Sequence, residues 1–303
     1  MTETHVLTGA FGYTGRYLAR RLLNSGISVR TLTNHPRTPD PFEGRVQVHA
    51  LDFSSPPSLA RSLEGARVLY NTYWVRFDHG RATYARAVEN TKILFSAALE
   101  AGVERIVHVS ITNPSADSPL PYFSGKAALE SHLASLPLTH AIVRPTVLFG
   151  KEDILINNIA YLLRRLPLFG VPGAGRYAVQ PVYVDDLASL MAELASRTDD
   201  VTLDAVGPET YSYIDLVRLV RDAIQARARI VRVPPALVLL AGRILGRLVG
   251  DVVITPDEIR GLSSGLLVSS SGPTCTTSFR SWVEAHRSSL GSRYASELAR
   301  HYV

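Results

Sequence analysis

The chain has 303 residues, 46% of them hydrophobic, with 32 Lys and Arg against 27 Asp and Glu and a formal charge of +5. That length can bury one large core or two moderate ones, which predicts a globular protein of two lobes. A single cysteine, Cys275, excludes an internal disulfide framework; with no H-E-x-x-H or paired ligand spacing among the nine histidines, no metal is expected.

The opening MTETH has neither the basic nor the apolar region of a secretory signal, and with one cysteine this predicts a reducing, cytoplasmic setting. The first strand, residues 5–8, leads into "HVLTGAFGYTGRYLARRLL", where Gly9, Gly12 and Gly15 stand as G-x-x-G-x-x-G before a helical pattern over 13–23. Placed between a strand and a helix, such glycines have distinct uses. Gly9 permits a tight turn, Gly12 lets the backbone approach a pyrophosphate, and Gly15 lets the helix sit close to the strand. The phosphates would rest on free N–H groups at the positive end of the helix dipole.

A second strand over 28–33 ends in "VRTLTNHPRT". A carboxylate here would hold the ribose 2′-hydroxyl of NAD, but Thr33 and Asn34 occupy the position, and His35 or Arg37 could meet a 2′-phosphate. NADP is therefore favoured over NAD. Further β-branched runs at 46–50, 67–72, 106–110 and 140–144 alternate with helical segments, the signature of right-handed βαβ units and a parallel sheet covered on both faces. The aromatic loop Tyr73, Trp74, Phe77 after the fourth strand reads equally as pocket wall or as core.

Between the fifth and sixth strands lies "SPLPYFSGKAALESHLASL". Tyr122 and Lys126, four apart at the start of a helix, share one face. Lysine is rare here, only Lys92, Lys126 and Lys151 among 32 basic residues, so the pairing is distinctive. A phenol with an ordinary pKa of roughly 10 is a poor acid–base group at neutral pH, and a nearby cation favours its phenolate.

After Gly150 the rhythm changes. Residues 157–166 read as helix, 167–175 as a Pro/Gly-rich break and 215–226 as helix, while 182–194 and 201–205 could return to the first sheet. "PPALVLLAGRILGRLVG" carries Gly242, Gly246 and Gly250 at four-residue intervals with Arg243 and Arg247 alongside. It reads as a helix of the second lobe, with a helix on an anionic membrane surface as the alternative. "GLSSG" matches G-x-S-x-G, with Glu284 and His286 following, but the helix-like "TPDEIRG" before it argues against a nucleophile elbow at Ser263. The predicted fold is α/β, a Rossmann-type doubly wound parallel sheet with a smaller, mostly helical C-terminal substrate lobe. Residues 1–150 would form the first lobe, with 178–206 returning to it, and 151–303 the second.

Together, TGAFGYTG, "ALDF" with Asp52, "HVSIT", YFSGK, "RPTVLFG" and "VYVDDLA" resemble the extended and atypical short-chain dehydrogenase/reductases, the NAD-dependent epimerase/dehydratase family, over almost the whole chain. Within it the chain is most similar to the group that includes the NADPH-binding accessory subunit of respiratory complex I. The resemblance implies that the glycine loop, with Phe11, Tyr13 and Thr14, holds the cofactor and that Asp52 and Phe53 meet the adenine. It also implies that Asn71, Thr72 and Tyr73 run beside the cofactor, that Lys126 bonds the nicotinamide ribose, and that Pro145 and Thr146 line the nicotinamide end. Two positions depart from the family pattern: its second strand-end hydroxyl falls on Ile111, and its helix asparagine falls on Ala87, with Asn90 nearby. Thr112 is the nearest substitute for the hydroxyl and Ser110 the next.

The leading expectation is an NADP-dependent oxidoreductase acting on a small carbonyl or carbinol compound, with Tyr122 as acid/base, Lys126 as its electrostatic partner and Thr112 or Ser110 polarising the oxygen. A non-catalytic NADPH-binding structural or sensory protein is the alternative, and a nucleotide-sugar epimerase or dehydratase is the rival among enzymes. The scattered basic residues carry no nucleic-acid motif, so no nucleic-acid partner is expected. Peripheral membrane or protein-complex association is not favoured. The longest apolar stretch, 236–242, falls far short of the roughly 20 residues a bilayer span needs.

Overall fold

In the computed structural model, residues 3–35 and 39–301 are described; Arg37, expected at the adenosine phosphate, lies outside them. The first strand β1 (Thr4–Thr8) leads through the glycine loop into α1 (Tyr13–Asn24), then β2 (Ser28–Leu32), β3 (Val46–His49), α2 (Pro56–Leu63), β4 (Val68–Asn71), α3 (Tyr84–Glu100), β5 (Arg105–Val109), α4 (Pro121–Ala134) and β6 (Thr139–Pro145). The chain continues through β7 (Val147–Phe149), α5 (Leu155–Arg165), β8 (Leu168–Pro172), β9 (Ala178–Val179) and β10 (Pro181–Tyr183). It then forms α6 (Val184–Leu194) and β11 (Val201–Ala205), and ends with β12 (Tyr211–Ser212), α7 (Tyr213–Ala223), β13 (Arg229–Val233), α8 (Pro235–Val249), α9 (Pro256–Ser263), α10 (Phe279–His286) and α11 (Leu298–His301).

Two compact units result, one of residues 1–145 and 184–204, the other of 146–183 and 205–303. In the first, seven strands form one sheet in the order β11-β6-β5-β4-β1-β2-β3. The pairs from β6 through β3 run parallel. The order reverses at β1, between β2 and β4, and it is outside the carboxyl ends of the strands at such a switch point that open α/β sheets bind ligands. The central strand positions Val6, Leu7, Val29, Leu69, Ile106, Val107, Ala141 and Val143 are fully buried, as a sheet covered on both faces demands, and the buried polar residues His5, Thr31 and His108 are hydrogen-bonded. On one face Leu59 and Leu63 of α2, Leu94 and Phe95 of α3 and Leu133 of α4 pack on Val6, Leu69, Ile106 and Ile142. On the other, α1 packs on α6, and Arg21 grips Asp185 through two bonds of 2.9 and 2.7 Å. The doubly wound architecture is thus as expected from the alternation of runs.

The second unit has its own core, built on Phe149, Ile156, Leu163, Val171, Val217, Phe279 and Val283. It is less purely helical than its sequence implies. The Pro/Gly-rich stretch contains β8, which pairs in parallel with β13 from Arg229↔Leu168 to Val233↔Pro172. Phe169 and Val171 turn inward while Gly170 takes the close approach of Val233, where an added Cβ would lie 3.1 Å from Cγ2. Val182 pairs within this unit, on β7, so the return to the first unit begins at Val184. Ser263 stands in the last turn of α9, behind a Thr255/Glu258 capping box, and its hydroxyl donates to Ile259 O at 2.7 Å. It is a helix residue, not an elbow nucleophile.

Candidate active site

At the end of β1 the chain turns sharply at Gly9, whose φ of +69° is the left-handed region that favours glycine. Gly12 N donates to Gly9 O at 2.8 Å, and Ala10 N is received by Thr31 Oγ1 at 3.0 Å. A Cβ on Gly15 would stand 2.1 Å from Gly9 O, so no other residue lets α1 start this close to the loop. Gly12 is the helix N-cap and supplies no side-chain cap, and the first turn holds no acidic residue. Uncapped N–H groups behind a glycine turn suit a pyrophosphate, and the residues present fit a dinucleotide. Phe11 is buried against Phe42, with ring centroids 5.8 Å apart, which pins the loop from beneath; Tyr13 and Thr14 are half-buried in the first turn.

Thr8 ties this loop to the next strand end. Its Oγ1 receives Thr72 N at 2.8 Å and Tyr73 N at 3.1 Å, and Thr72 Oγ1 donates to Thr8 O at 2.7 Å. Asn71 is buried, accepting from Tyr73 N at 3.1 Å and meeting His108 Nδ1 at 3.0 Å. At the end of β2, Asn34 clasps the backbone of Leu51 through both ends of its amide, at 2.8 and 3.0 Å, and His35 is exposed. Thr33, Asn34 and His35 bring no carboxylate to this strand end. Asp52 is exposed, and bonds from Ser54 hold its carboxyl below the usual range. Phe53 lies against Tyr73, with centroids 5.1 Å apart, and Asn90, beside the family's missing asparagine, donates to the Tyr73 hydroxyl at 2.9 Å.

Helix α4 begins at Pro121, whose missing N–H costs nothing at the first helical position. Tyr122 and Lys126 share a face, as their spacing requires, and both meet one indole. The edge of Tyr122 packs on Trp74, with centroids 5.6 Å apart at 75°, and Lys126 Nζ lies 4.3 Å from the Trp74 ring centroid. Lys126 is 2% exposed and donates to Val109 O at 2.7 Å. Burial pushes its ammonium down to about 7, against a smaller opposing pull from Glu130. His108 beneath it is likewise pushed down, by burial first and by the charge of Lys126 second.

Trp74, from the aromatic loop that reads equally as pocket wall or as core, organises this corner. It stacks on Tyr84 at 28° with centroids 6.1 Å apart, in a cluster with Val75 and Ala87. The aromatic loop is therefore core on this side, and Ala87 is buried in it. Gly125 makes the fit: a Cβ there would lie 3.1 Å from Trp74 Cη2 and 3.2 Å from Val88 Cγ2. A glycine inside a helix, one residue before the lysine, was the readable signal.

The strand-end hydroxyls separate clearly. Ser110 Oγ donates to Glu130 Oε1 at 2.5 Å, and Glu130 also receives Arg144 through two bonds. The one proton of Ser110 is directed to that carboxylate and is not free for a second acceptor. Ile111 is buried at 8% exposure. Thr112 is fully buried and its hydroxyl has no hydrogen-bond partner among the described residues. Pro145 closes β6 and receives Thr112 N at 3.1 Å; Thr146 belongs to the second unit, with its own hydroxyl buried and unpartnered among the described residues.

Residues 9–159, which include the glycine loop and both α4 residues, match the NAD(P)H-binding family. The chain carries an NAD(P)H-binding domain. It is 26% identical over 266 residues to the mitochondrial NADH-ubiquinone oxidoreductase 40 kDa subunit of Neurospora crassa, covering 85% of this chain and 70% of that protein. It is also 26% identical over 244 residues to the ceramide reductase of Caulobacter vibrioides, covering 79% and 76% respectively. Among solved structures, the triphenylmethane reductase of Citrobacter sp. superposes with a TM-score of 0.77 at 17% identity, over 94% of this chain and 99% of that one. These agree with the resemblance to extended short-chain dehydrogenase/reductases and to the complex I subunit group.

Proposed function

We propose that the protein is an NADPH-dependent reductase of a carbonyl compound. The observation that carries this reading is the pairing of Tyr122 with a buried Lys126 on one face of α4, in the same unit as an uncapped glycine loop. When bound, the nicotinamide would supply hydride to the carbonyl carbon. The glycine loop from Gly9 to Gly15 holds the pyrophosphate, Asp52 and Phe53 border the adenine, and Asn71 to Tyr73 run beside the cofactor. The absence of a carboxylate at Thr33 to His35 supports NADPH over NADH.

Tyr122 gives its proton to the oxygen as negative charge develops there. Lys126 is held near its titration point by burial, so its charge sets how readily the phenol releases and regains a proton. A ceramide reductase among the relatives supports an apolar carbonyl substrate. The second unit is assigned the substrate-binding role.

A second reading, a nucleotide-binding protein without turnover, is favoured by Ile111 in place of the family hydroxyl and by Trp74 packed on both α4 residues. Similarity to complex I subunits points the same way. NADPH oxidation assayed against a panel of apolar ketones, beside NADPH affinity by calorimetry, separates the two. Turnover lost in Tyr122→Phe at unchanged affinity supports the reductase; tight binding with no turnover on any ketone supports the second reading. Epimerisation would instead convert a nucleotide sugar with no net NADPH consumption.

A further inference from the structure

Helix α8 turns an apolar stripe to solvent. Leu237, Leu240, Ile244 and Leu248 are 52, 53, 54 and 79% exposed, and spacings of three and four residues align them along one side of the helix. The fold uses a different side. Gly246 is buried, and an added Cβ would lie 2.5 Å from Asp251 O, while one on Gly242 would lie 2.8 Å from Ile254 Cγ2. Val238 faces β8 at Gly170. The glycine stripe noted in the sequence thus seats α8 on the chain that follows it, and the leucine stripe is left over.

Within α8 the only charged residues are Arg243 and Arg247. From residue 223 to 250 the chain holds Arg227, Arg229, Arg232, Arg243 and Arg247 and no Asp or Glu. All five arginines are exposed, and none pairs with a carboxylate among the described residues. Arg243 and Arg247, one turn apart, flank the stripe. At 15 residues α8 is about 22 Å long by its rise per residue, and among the described residues no helix is long and apolar enough to cross a membrane.

We infer that α8 is a membrane-surface anchor that lies in the plane of an anionic bilayer, with Leu237, Leu240, Ile244 and Leu248 entering the acyl boundary and Arg243 and Arg247 meeting lipid phosphates. An apolar protein groove would account for the leucines; an anionic bilayer surface accounts as well for Arg243 and Arg247 beside them on a helix that carries no acid. The inference stands on the second unit alone and is independent of the catalytic reading.

The test is co-sedimentation of the intact protein with phosphatidylcholine vesicles, with and without phosphatidylglycerol, at low and high salt. Binding should require phosphatidylglycerol and weaken as salt rises. Leu240→Asp/Ile244→Asp should abolish it, and Arg243→Glu/Arg247→Glu should weaken it by about tenfold or more. Unchanged thermal unfolding and NADPH affinity guard against misfolding; if the aspartate variant does not fold, the arginine variant at exposed positions decides. No sedimentation with anionic vesicles, or equal sedimentation of the arginine variant, overturns the inference. A dimer in sedimentation velocity that Leu240→Asp disrupts, without vesicle binding, also overturns it and gives the face to a second copy of the chain.

Discussion

Lys126 Nζ lies 4.3 Å from the centre of the Trp74 ring while donating a 2.7 Å bond to Val109 O. A carbonyl and an aromatic face contact a cation that is 2% exposed, Glu130 offsets its burial only in part, and the cost of that burial governs how this corner behaves.

The first consequence is a pH dependence of stability. Burial pushes the folded ammonium down to about 7, from the 10.5 of an ordinary lysine. Between those values the unfolded chain carries a proton that the folded chain lacks, so stability rises with pH by up to about 1.4 kcal/mol per unit. Below about pH 7 both states are protonated and the contribution is flat, with the full penalty in place. Lys126→Met should therefore unfold at higher urea than the parent at pH 7, by about 1–3 kcal/mol, with the gap closing toward pH 10. Urea titrations at several pH values check the slope.

Gly125→Ala should disturb the same corner from the helix side. The new methyl meets Trp74 at 3.1 Å and Val88 at 3.2 Å, and displacing the indole lets water reach Lys126. A loss of about 1–3 kcal/mol is expected, together with a rise in the Lys126 titration point that lysine-selective NMR would show.

In the glycine loop the two tight positions should differ in kind. Gly15→Ala places a Cβ 2.1 Å from Gly9 O, backbone against backbone, and should lower stability as well as NADPH affinity. Gly12→Ala meets Gly9 O at 3.1 Å and should fold nearly normally, with affinity reduced about tenfold or more because the phosphates lose their close approach. Calorimetry alongside thermal unfolding distinguishes the pair.

Glu130→Gln leaves Arg144 without its carboxylate and weakens the hold on Ser110. Because the carboxylate is nearly buried, at 10% side-chain exposure, a loss of about 3 kcal/mol is expected in urea denaturation.

The parts of this protein that were readable in advance are those whose physics is local. Strands covered on both faces must be apolar and β-branched, and a turn that must bring α1 against Gly9 must be glycine, so β1 to β6 and the nucleotide loop could be read off directly. β8 was hidden because Gly170 and Pro172 mimic a break, although both are tolerated where one neighbour crowds the strand and the strand ends. The site was only half legible. The spacing of Tyr122 and Lys126 is a property of one helix, but the arrival of Trp74 from 52 positions earlier is a property of the packed fold. Likewise Ser110 and Thr112 look interchangeable until Glu130, twenty residues on, takes up the serine hydroxyl.

The most direct test of the central claim is steady-state kinetics of Tyr122→Phe with NADPH and an apolar ketone, alongside NADPH affinity. The account predicts kcat lower by about 10²–10⁴-fold with Kd for NADPH unchanged, since the phenol moves a proton and does not hold the nucleotide. Turnover equal to that of the parent would contradict it and remove Tyr122 from the chemistry.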